Sequence, residues 1–235
     1  MVFGAILAGG KGTRMGIDKP KQFLMLGSRP IIIHTIEKFI LSPDIDEIYV
    51  GVHPDWIDYT EDLIKKYIDS DKNIILVPGG TDRNSTIFNI IDEIEKRNGD
   101  DEDNIIVTHD SVRPFVTLRI IGENVEIDTF SIFDTVISAV DTIVVSEDGE
   151  KITSIPDRRQ MFQGQTPQTF KISKLKELYN DLSDDEKEIL TDACKICVVR
   201  NVPVRLVKGE VSNMKITTID DMKAATALIM EDIKC

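Results

Sequence analysis

The chain has 235 residues and a formal net charge of −13 at pH 7, with 41% hydrophobic and 29% charged residues. This length suits one domain with a sizeable core, and no apolar run approaches the roughly 18 residues of a membrane-spanning helix. An acidic composition argues against general nucleic-acid binding, which needs a basic face. The N-terminus shows no secretory pattern, and three cysteines do not make a disulfide framework. We therefore expect a cytoplasmic protein without nucleic-acid or membrane partners.

The charge is unevenly distributed along the chain. Five basic residues and one acidic residue give residues 1–36 a net charge of +4, which leaves −17 for the rest of the chain. A positive spot in a negative protein favours one small anion bound at one site over a polyanion along a surface.

Short apolar strands alternate with helical patterns through the first half of the chain. The predicted strands are Phe3–Leu7, Glu47–Val52, Asn73–Val77 and Asn104–Thr108. Between them, helical spacing occurs in the stretches RPIIIHTIEKFIL, DWIDYTEDLIKKYI and DRNSTIFNIIDEIEKR. This alternation predicts an α/β fold with a doubly wound, mainly parallel, Rossmann-like sheet. Ligands of such sheets bind beyond the carboxyl ends of the strands.

The second half departs from this pattern. Residues 134–158 predict two strands joined by the turn EDGE, in which Asp-Gly is a hairpin signal. Because an isolated hairpin has too little surface to form its own core, we expect a protruding arm that packs on a second copy in a homodimer. Helices are predicted at 171–182, 184–198 and 218–233, with a strand in the stretch VRLVKG. We interpret residues 1–235 as one domain carrying this arm.

The spacing of Cys194 and Cys197 matches C-x-x-C, but the surrounding stretch LTDACKICVV predicts a buried helix. A metal role is disfavoured because no second Cys/His pair is present, and a redox role is also disfavoured.

The stretch LAGGKGTRMGIDKPKQF, residues 7–23, follows the first predicted strand. It fails the Walker A pattern because Lys11 is followed by Gly12, and it fails G-x-G-x-x-G because Met15 stands at the third glycine. What remains is a loop whose backbone N–H groups can approach a phosphate closely, with Arg14 and Lys21 supplying charge. We interpret this loop as a phosphate cradle, in preference to a surface loop with incidental charges.

A second polar stretch, THDSVRP, follows the fourth predicted strand. Asp110 could bind a ribose hydroxyl or a hydrated Mg²⁺, and Arg113 could orient a second anion. The alternative for Arg113 is an internal ion pair with Asp110, and we expect His109 to be a packed or capping residue and not a base. A third stretch, PGGTDRNST, ends in a helix start, where Asp82 or Asn84 could cap the helix while Thr86 reads a base edge.

Six motifs occur in order along the chain. They are LAGGKGTRM, PKQF, GGTDR, HDSVRP, TPQ and NMKIT. Through these six motifs and their order, the chain resembles the sugar- and polyol-phosphate cytidylyltransferases over almost its whole length. The resemblance is strongest to the ribitol-5-phosphate cytidylyltransferases of bacterial teichoic-acid synthesis, with the 2-C-methyl-D-erythritol 4-phosphate enzymes of isoprenoid synthesis as the neighbouring group.

The resemblance implies that CTP and D-ribitol 5-phosphate give CDP-ribitol and pyrophosphate, with Mg²⁺ or another divalent cation as cofactor. The implied catalytic residues are Arg14, Lys21, Arg158 and Lys215. The implied CTP-binding residues are Leu7, Ala8, Gly9, Gly10, Gly80, Thr81, Asp82, Arg83, Asn84, Ser85, Thr86, Asp110 and Ser111. Arg113, Arg158 and Thr217 are implied for the polyol phosphate, and Asp110 for the metal, through water. If the arm crosses a dimer, Arg158 serves the neighbouring subunit.

Three alternatives stay open at this point. The same chemistry on 2-C-methyl-D-erythritol 4-phosphate is the nearest, and related five-carbon phosphates belong with it. A non-catalytic nucleotide-binding protein would have little use for the four cations. A dehydrogenase would need the third glycine that Met15 replaces.

Overall fold

A computed structural model of the chain describes residues 1–10, 19–126, 131–188, 190 and 192–232. The described residues form nine strands: β1 Val2–Ala8, β2 Met25–Leu26, β3 Arg29–Pro30, β4 Glu47–Val52, β5 Ile74–Pro78, β6 Ile105–Asp110, β7 Ile132–Ser138, β8 Phe162–Lys171 and β9 Arg205–Lys208. They also form eight α-helices: α1 Ile31–Leu41, α2 Ile57–Tyr67, α3 Arg83–Asn98, α4 Leu118–Val125, α5 Ile172–Asn180, α6 Asp184–Glu188, α7 Ala193–Val199 and α8 Ile219–Asp232.

Seven strands form the central sheet in the order β5-β4-β1-β6-β8-β7-β9. β8 runs antiparallel to both of its neighbours, while the other strands of the sheet share one direction. The mainly parallel sheet predicted from the alternating pattern is therefore confirmed. The chain leaves β1 for β4 and β5 on one side, then returns to β6 on the other side. This change of direction beside β1 makes the topological switch point at which such sheets bind ligands.

Helices cover both faces of the sheet, which explains why its parallel strands are continuous apolar runs. One core cluster packs beneath α3, α5 and α7, and includes the buried side chains of Phe3 and Phe170. A second cluster on the opposite face packs beneath α1, α2 and α4, and includes Phe23 and Phe39.

The register of the parallel strands brings their carboxyl ends to one edge. Leu7 of β1 lies beside Asp110 of β6, and Ala8 lies beside Val52 of β4, which in turn lies beside Pro78 of β5. The loops that follow these strands therefore meet at this edge, where the sequence predicted a site.

The predicted hairpin over 134–158 differs from the structure. Its first strand belongs to β7, which is part of the central sheet and pairs with β8. Between β7 and β8, the structure has a long exposed loop in which Val145 and Ser154 form a single antiparallel bridge. The turn at EDGE is present, with Gly149 at φ 77°. The hairpin prediction was thus wrong about the first strand, because β8 supplies the neighbour that a free hairpin would lack.

Further elements also differ from the predictions. The helix predicted at 184–198 is divided into α6 and α7, because Asp192 has an extended backbone and caps α7 through the Cys194 N–H. α4 and β8 were not predicted. The buried helix predicted around the C-x-x-C spacing is confirmed, and burial raises the pKa of the Cys197 thiol to about 12. In the parts of the chain that the structure describes, none of the helices has the length and apolar character needed to cross a membrane.

Candidate active site

A cavity of about 440 Å³ opens at the carboxyl edge of the sheet, beside the switch point. Its lining combines the ends of β1 and β6, the turn after β5, and one loop near the end of the chain. The lining residues are Leu7, Ala8, Gly9, Gly10, Lys21, Gln22, Gly80, Thr81, Asp82, Arg83, Thr86, Asp110, Ser111, Val112 and Lys215. Most of the nucleotide-binding residues expected from the sequence therefore line one cavity, together with Lys21 and Lys215.

The first wall is the start of the glycine-rich loop. Gln22 is buried, and its Nε2 donates to the backbone O of Ala8 at 2.9 Å and of Gly10 at 3.2 Å. This side chain thus fixes the loop at two points where it leaves β1. Gln22 was missed as a site residue, although the motif PKQF contains it. Arg14, the other cation expected here, lies outside the described residues.

The second wall is the turn between β5 and α3. The Gly80 N–H donates to Thr86 Oγ1 at 3.0 Å. Asp82 caps α3 by accepting from the Ser85 N–H at 2.8 Å, and Ser85 Oγ accepts from the Asp82 N–H at 3.0 Å, which completes a capping box. The predicted capping role of Asp82 is confirmed.

Asn84 and Ser85 were expected to contact the nucleotide, but neither lines the cavity. The Ser85 hydroxyl is held in the capping box, and Asn84 is buried. The geometry favours a structural role for Ser85, at the helix start that shapes this wall.

The third wall is a carboxylate among cations. Asp110 Oδ2 lies 3.0 Å from Lys215 Nζ and 3.3 Å from Arg113 Nε, and Asp110 Oδ1 lies 3.9 Å from Arg83 Nε. Burial alone would raise the pKa of the Asp110 carboxyl, but these three cations outweigh burial and hold the pKa well below its usual range. Asp110 is therefore ionised, and the cluster keeps an excess of positive charge at the cavity.

Arg113 was expected to orient a second anion. Arg113 is 9% exposed, and its guanidinium contacts Asp110 and donates through Nη1 to the backbone O of Asn213 at 2.8 Å. It does not line the cavity. The geometry favours the alternative, an internal ion pair that ties β6 to the loop carrying Lys215.

His109 is fully buried, and its ring is held at both nitrogens. His109 Nε2 lies 3.1 Å from the Arg113 backbone O, which can only accept, so Nε2 carries the proton. Nδ1 of the neutral ring then accepts from Thr166 Oγ1 at 2.9 Å, while Thr166 Oγ1 accepts from the Asp110 N–H at 3.1 Å. Burial lowers the pKa of His109 to about 4, so the ring is neutral. The expected packed role of His109 is confirmed.

Two expected substrate residues lie away from the cavity lining. Thr217 donates through its N–H and hydroxyl to Asp221 Oδ2 at 2.8 and 2.7 Å, just before α8. Arg158 lies in a short 3-10 turn before β8, and its Nη1 donates to the Val140 backbone O at 2.7 Å. Within this one chain, Arg158 therefore makes a contact inside the loop between β7 and β8, to which it belongs.

The donor set at the cavity fits a divalent cation carried mainly by a nucleotide. Asp110 Oδ2 is occupied by Lys215 and Arg113, whereas Oδ1 lies beyond hydrogen-bond distance of Arg83. Mg²⁺ at nucleotide sites commonly uses one or two carboxylates together with phosphate oxygens and water. Among the described residues there is no group of three or more His, Cys, Asp or Glu side chains arranged for a metal. Asp110 thus offers a carboxylate oxygen, Oδ1, that is suitable for such a cation.

A mainly parallel sheet with glycines at the ends of β1 and β5 and a cation cluster at its switch point is typical of α/β nucleotide-binding proteins. Comparison with known proteins is more specific. A family model described as "IspD: 2-C-methyl-D-erythritol 4-phosphate cytidylyltransferase" matches residues 2–231. The chain therefore belongs to this family of cytidylyltransferases, which are nucleotidyltransferase enzymes.

Relatives and solved structures agree with this assignment. The chain is similar to ribitol-5-phosphate cytidylyltransferases from Streptococcus pneumoniae, with 54% identity in strain ATCC 700669 / Spain 23F-1 and 55% in strain D39 / NCTC 7466, over 99% of this chain and 100% of each relative. The 4-diphosphocytidyl-2C-methyl-D-erythritol synthase of Anaerococcus prevotii has 26% identity and a TM-score of 0.79, covering 98% of this chain and 96% of that one. The Francisella tularensis enzyme, at 24% identity and a TM-score of 0.77, covers 96% and 98% and shows the shared fold.

Proposed function

We propose that the chain transfers the cytidylyl group of CTP to D-ribitol 5-phosphate, giving CDP-ribitol and pyrophosphate, for teichoic-acid synthesis. The observation that carries the proposal is the 54–55% identity over full length to relatives named ribitol-5-phosphate cytidylyltransferases. The cation cluster at the cavity supports it, because the reaction joins two anions that repel each other. Two buried free thiols, Cys194 and Cys197, support a reducing, cytoplasmic location.

The reaction needs alignment and charge neutralisation more than a side-chain nucleophile. A phosphate oxygen of the acceptor attacks the α-phosphorus of CTP, and pyrophosphate leaves in line. Since the acceptor phosphate is ionised near neutral pH, no general base is required. This agrees with a neutral, buried His109, which has both ring nitrogens engaged.

The two glycine turns would hold the nucleotide, and the cations would neutralise its phosphates. Backbone N–H groups of Gly9 and Gly10 lie at the end of β1, and the turn at Gly80 closes the opposite wall of the cavity. Lys21 and Lys215 would face the triphosphate and the incoming phosphate, and we retain Arg14 in this role. A Mg²⁺ ion, held by Asp110 through water and by phosphate oxygens, would add further neutralisation of negative charge.

We also propose that the loop between β7 and β8 serves as the arm of a homodimer. Val140, Val144, Val145, Ile152 and Ile155 are exposed along it. Such a run of exposed apolar side chains is typical of a protein interface. In this arrangement Arg158 would position the polyol phosphate at its own or the neighbouring site.

Pyrophosphate release from CTP with a panel of acceptors tests the proposed function. We expect turnover with D-ribitol 5-phosphate to exceed turnover with 2-C-methyl-D-erythritol 4-phosphate and with ketopentose phosphates. 2-C-methyl-D-erythritol 4-phosphate is the main rival acceptor, because the matching family model carries its name. Higher turnover with 2-C-methyl-D-erythritol 4-phosphate would make that compound the acceptor in place of D-ribitol 5-phosphate. Binding of CTP without pyrophosphate release from any acceptor would instead indicate a non-catalytic nucleotide-binding protein.

A further inference from the structure

A buried amide in the centre of the sheet connects two carboxylates to the cavity wall. Gln168 of β8 is 1% exposed, and its Oε1 accepts from Arg83 Nη2 at 3.0 Å. Its Nε2 donates to Asp134 Oδ1 at 2.9 Å and to the two oxygens of Asp192 at 2.9 and 3.0 Å. Both ends of the amide are therefore engaged, which fixes its orientation.

The two carboxylates are themselves held in place. Asp134 lies opposite Gln168 in the antiparallel pairing of β7 with β8, so the two side chains share one face of the sheet. Asp192 caps α7, and its Oδ1 accepts from the Cys194 N–H at 2.8 Å. The amide thus stands on anchors supplied by a strand and by a helix start.

Arg83 is the residue on which this arrangement acts. It begins α3, lines the cavity, and has its Nε 3.9 Å from Asp110 Oδ1. Its Nη1 is buried and has no hydrogen-bond partner among the described residues. Nη1 itself is shielded from the cavity, but the Arg83 side chain as a whole is 23% exposed, so other parts of it are accessible to a ligand in the cavity that it lines.

The Gln168 amide differs from a carboxylate at this position because it is uncharged. It restrains the guanidinium through a hydrogen bond without pairing it with a full negative charge. Asp134 and Asp192 accept hydrogen bonds from the amide nitrogen, whereas Arg83 donates to the amide oxygen, so the amide group lies between the two carboxylates and the guanidinium. The positive charge of Arg83 therefore stays available for an anionic or strongly polar ligand.

We propose that Gln168, anchored by Asp134 and Asp192, is a positioning residue that holds the Arg83 guanidinium in place for an oxygen acceptor of the bound nucleotide. This inference rests on the proposed function for the identity of that nucleotide, CTP. It assigns a role to the last residue of the TPQ motif, which does not line the cavity itself.

The first test replaces Gln168 by Met, which keeps the length of the side chain and removes both ends of the amide. We expect KM for CTP to rise roughly tenfold, because one hydrogen bond to a charged group is misplaced, while kcat changes less. The control is Gln163→Met, at an exposed position of the same strand. The Nε–H signal of Arg83 in NMR spectra should also show faster guanidinium rotation in Gln168→Met than in the unaltered protein.

A second test exchanges the amide of Gln168 and the carboxylate of Asp134, and measures whether the double variant recovers KM for CTP. Gln168→Glu places a third carboxylate beside Asp134 and Asp192 and should raise KM strongly. Adding Asp134→Asn provides an amide that donates to the new carboxylate, and we expect KM to recover at least threefold relative to Gln168→Glu alone. A residue needed only for folding would not show this recovery in KM among variants that fold.

The outcomes separate this inference from the proposed function. Unaltered KM and unaltered Arg83 rotation in Gln168→Met would overturn the positioning role, and so would failure of the double variant to recover. If the unaltered protein releases no pyrophosphate with any acceptor, the proposed function fails. The rotation of Arg83, measured with CTP as the probe, then still decides whether Gln168 holds the guanidinium.

Discussion

At the scale of single residues, the cavity wall carries more positive than negative charge. The Asp110 carboxylate is shared by Arg83, Arg113 and Lys215, so one negative charge fixes three cations in place. Cations held before the substrates arrive need little reorganisation when negative charge develops in the transition state. The role of Asp110 in this structure is therefore to organise the cations, which is compatible with a hydrated metal at its Oδ1.

The cations at the cavity give a kinetic prediction. Lys21→Ala or Lys215→Ala should lower kcat by roughly 10²–10³-fold, because each removes a charge aimed at the phosphates. Lys21→Arg should also be damaging, since a planar guanidinium does not replace a compact ammonium. Steady-state pyrophosphate release checks this, with Lys96→Ala on the exposed side of α3 as the control. Undiminished kcat in both alanine variants would contradict the assignment.

Asp134 gives a prediction about stability and pH. Burial raises the pKa of its carboxyl to about 6, opposed by the hydrogen bond from Gln168 and reinforced by Asp192. Arg83 and Cys194 also face this group. Because the folded state binds the proton more tightly than the unfolded state, the contribution of Asp134 to stability is present at low pH. It is lost as the pH rises through about 6.

Asp134→Asn removes this loss, because the amide does not ionise. We expect the difference in free energy of unfolding, Asp134→Asn minus the unaltered protein, to be larger at pH 7.5 than at pH 4.5 by about 1–3 kcal/mol. Urea unfolding at several pH values measures the difference, with Asp141→Asn in the exposed loop as the control. The depressed pKa of Asp110 acts in the opposite direction and at lower pH, so it does not produce this rise. Parallel curves for the two proteins would show that Asp134 carries no such penalty.

The site residues that could be predicted are those recognised from their place next to a strand end in the sequence. Lys21 and Asp110 were found because Lys21 belongs to the glycine-rich stretch after β1 and Asp110 to the charged stretch at the end of β6. Gln22 and Gln168 were missed because their partners lie 14 and 85 residues away in sequence. For Arg113 the sequence left two interpretations open, and only the contact with the Asn213 backbone O distinguishes them.

At the scale of secondary-structure elements, the start of α3 depends on close approach of the backbone at Gly80. A Cβ at Gly80 would lie 2.6 Å from Ser85 Cβ and 2.8 Å from the Ser85 backbone C, inside the capping box. The helix start and the cavity wall are thus built from the same contact.

Gly80→Ala should therefore disturb both stability and binding. We expect a loss of about 1–3 kcal/mol in the free energy of unfolding, as for other overpacked positions, together with weaker binding of CTP. Urea unfolding and calorimetric titration with CTP measure the two effects. Gly164→Ala in β8 is the matched control, because its Cβ would meet nothing within 4 Å among the described residues. Equal behaviour of the two variants would show that the turn adapts.

The strands of the parallel half were predictable because they are buried on both faces and read as continuous apolar runs. β8 was missed for the opposite reason. Its buried residues include Gln165, Thr166, Gln168 and Thr169, which look like a loop in sequence. These side chains are buried because partners such as Asn213 and His109 satisfy their hydrogen bonds, and no local pattern in the sequence shows those partners.

At the scale of the whole molecule, the proposed homodimer can be tested by mixing subunits. Lys21→Ala and Arg158→Ala are each expected to be impaired. If the arm carries Arg158 to the neighbouring site, a mixed dimer contains one site with both residues intact, so we expect mixing to restore part of the activity. Co-expression with two different tags, followed by pyrophosphate release, measures this. Absence of recovery in verified mixed dimers would mean that Arg158 acts within its own chain.

The single reversed strand of the sheet has a consequence for how this scaffold can vary. β7 ends, and β8 begins, at the same edge at which β1 and β6 deliver Gly9 and Asp110. The insertion between them therefore emerges on the reactive side, while the glycine turns come from other parts of the chain. Length and composition of this insertion can change without rebuilding the nucleotide wall. Grafting residues 139–157 from a relative with another acceptor is the exchange by which substrate choice could be altered while CTP recognition is kept.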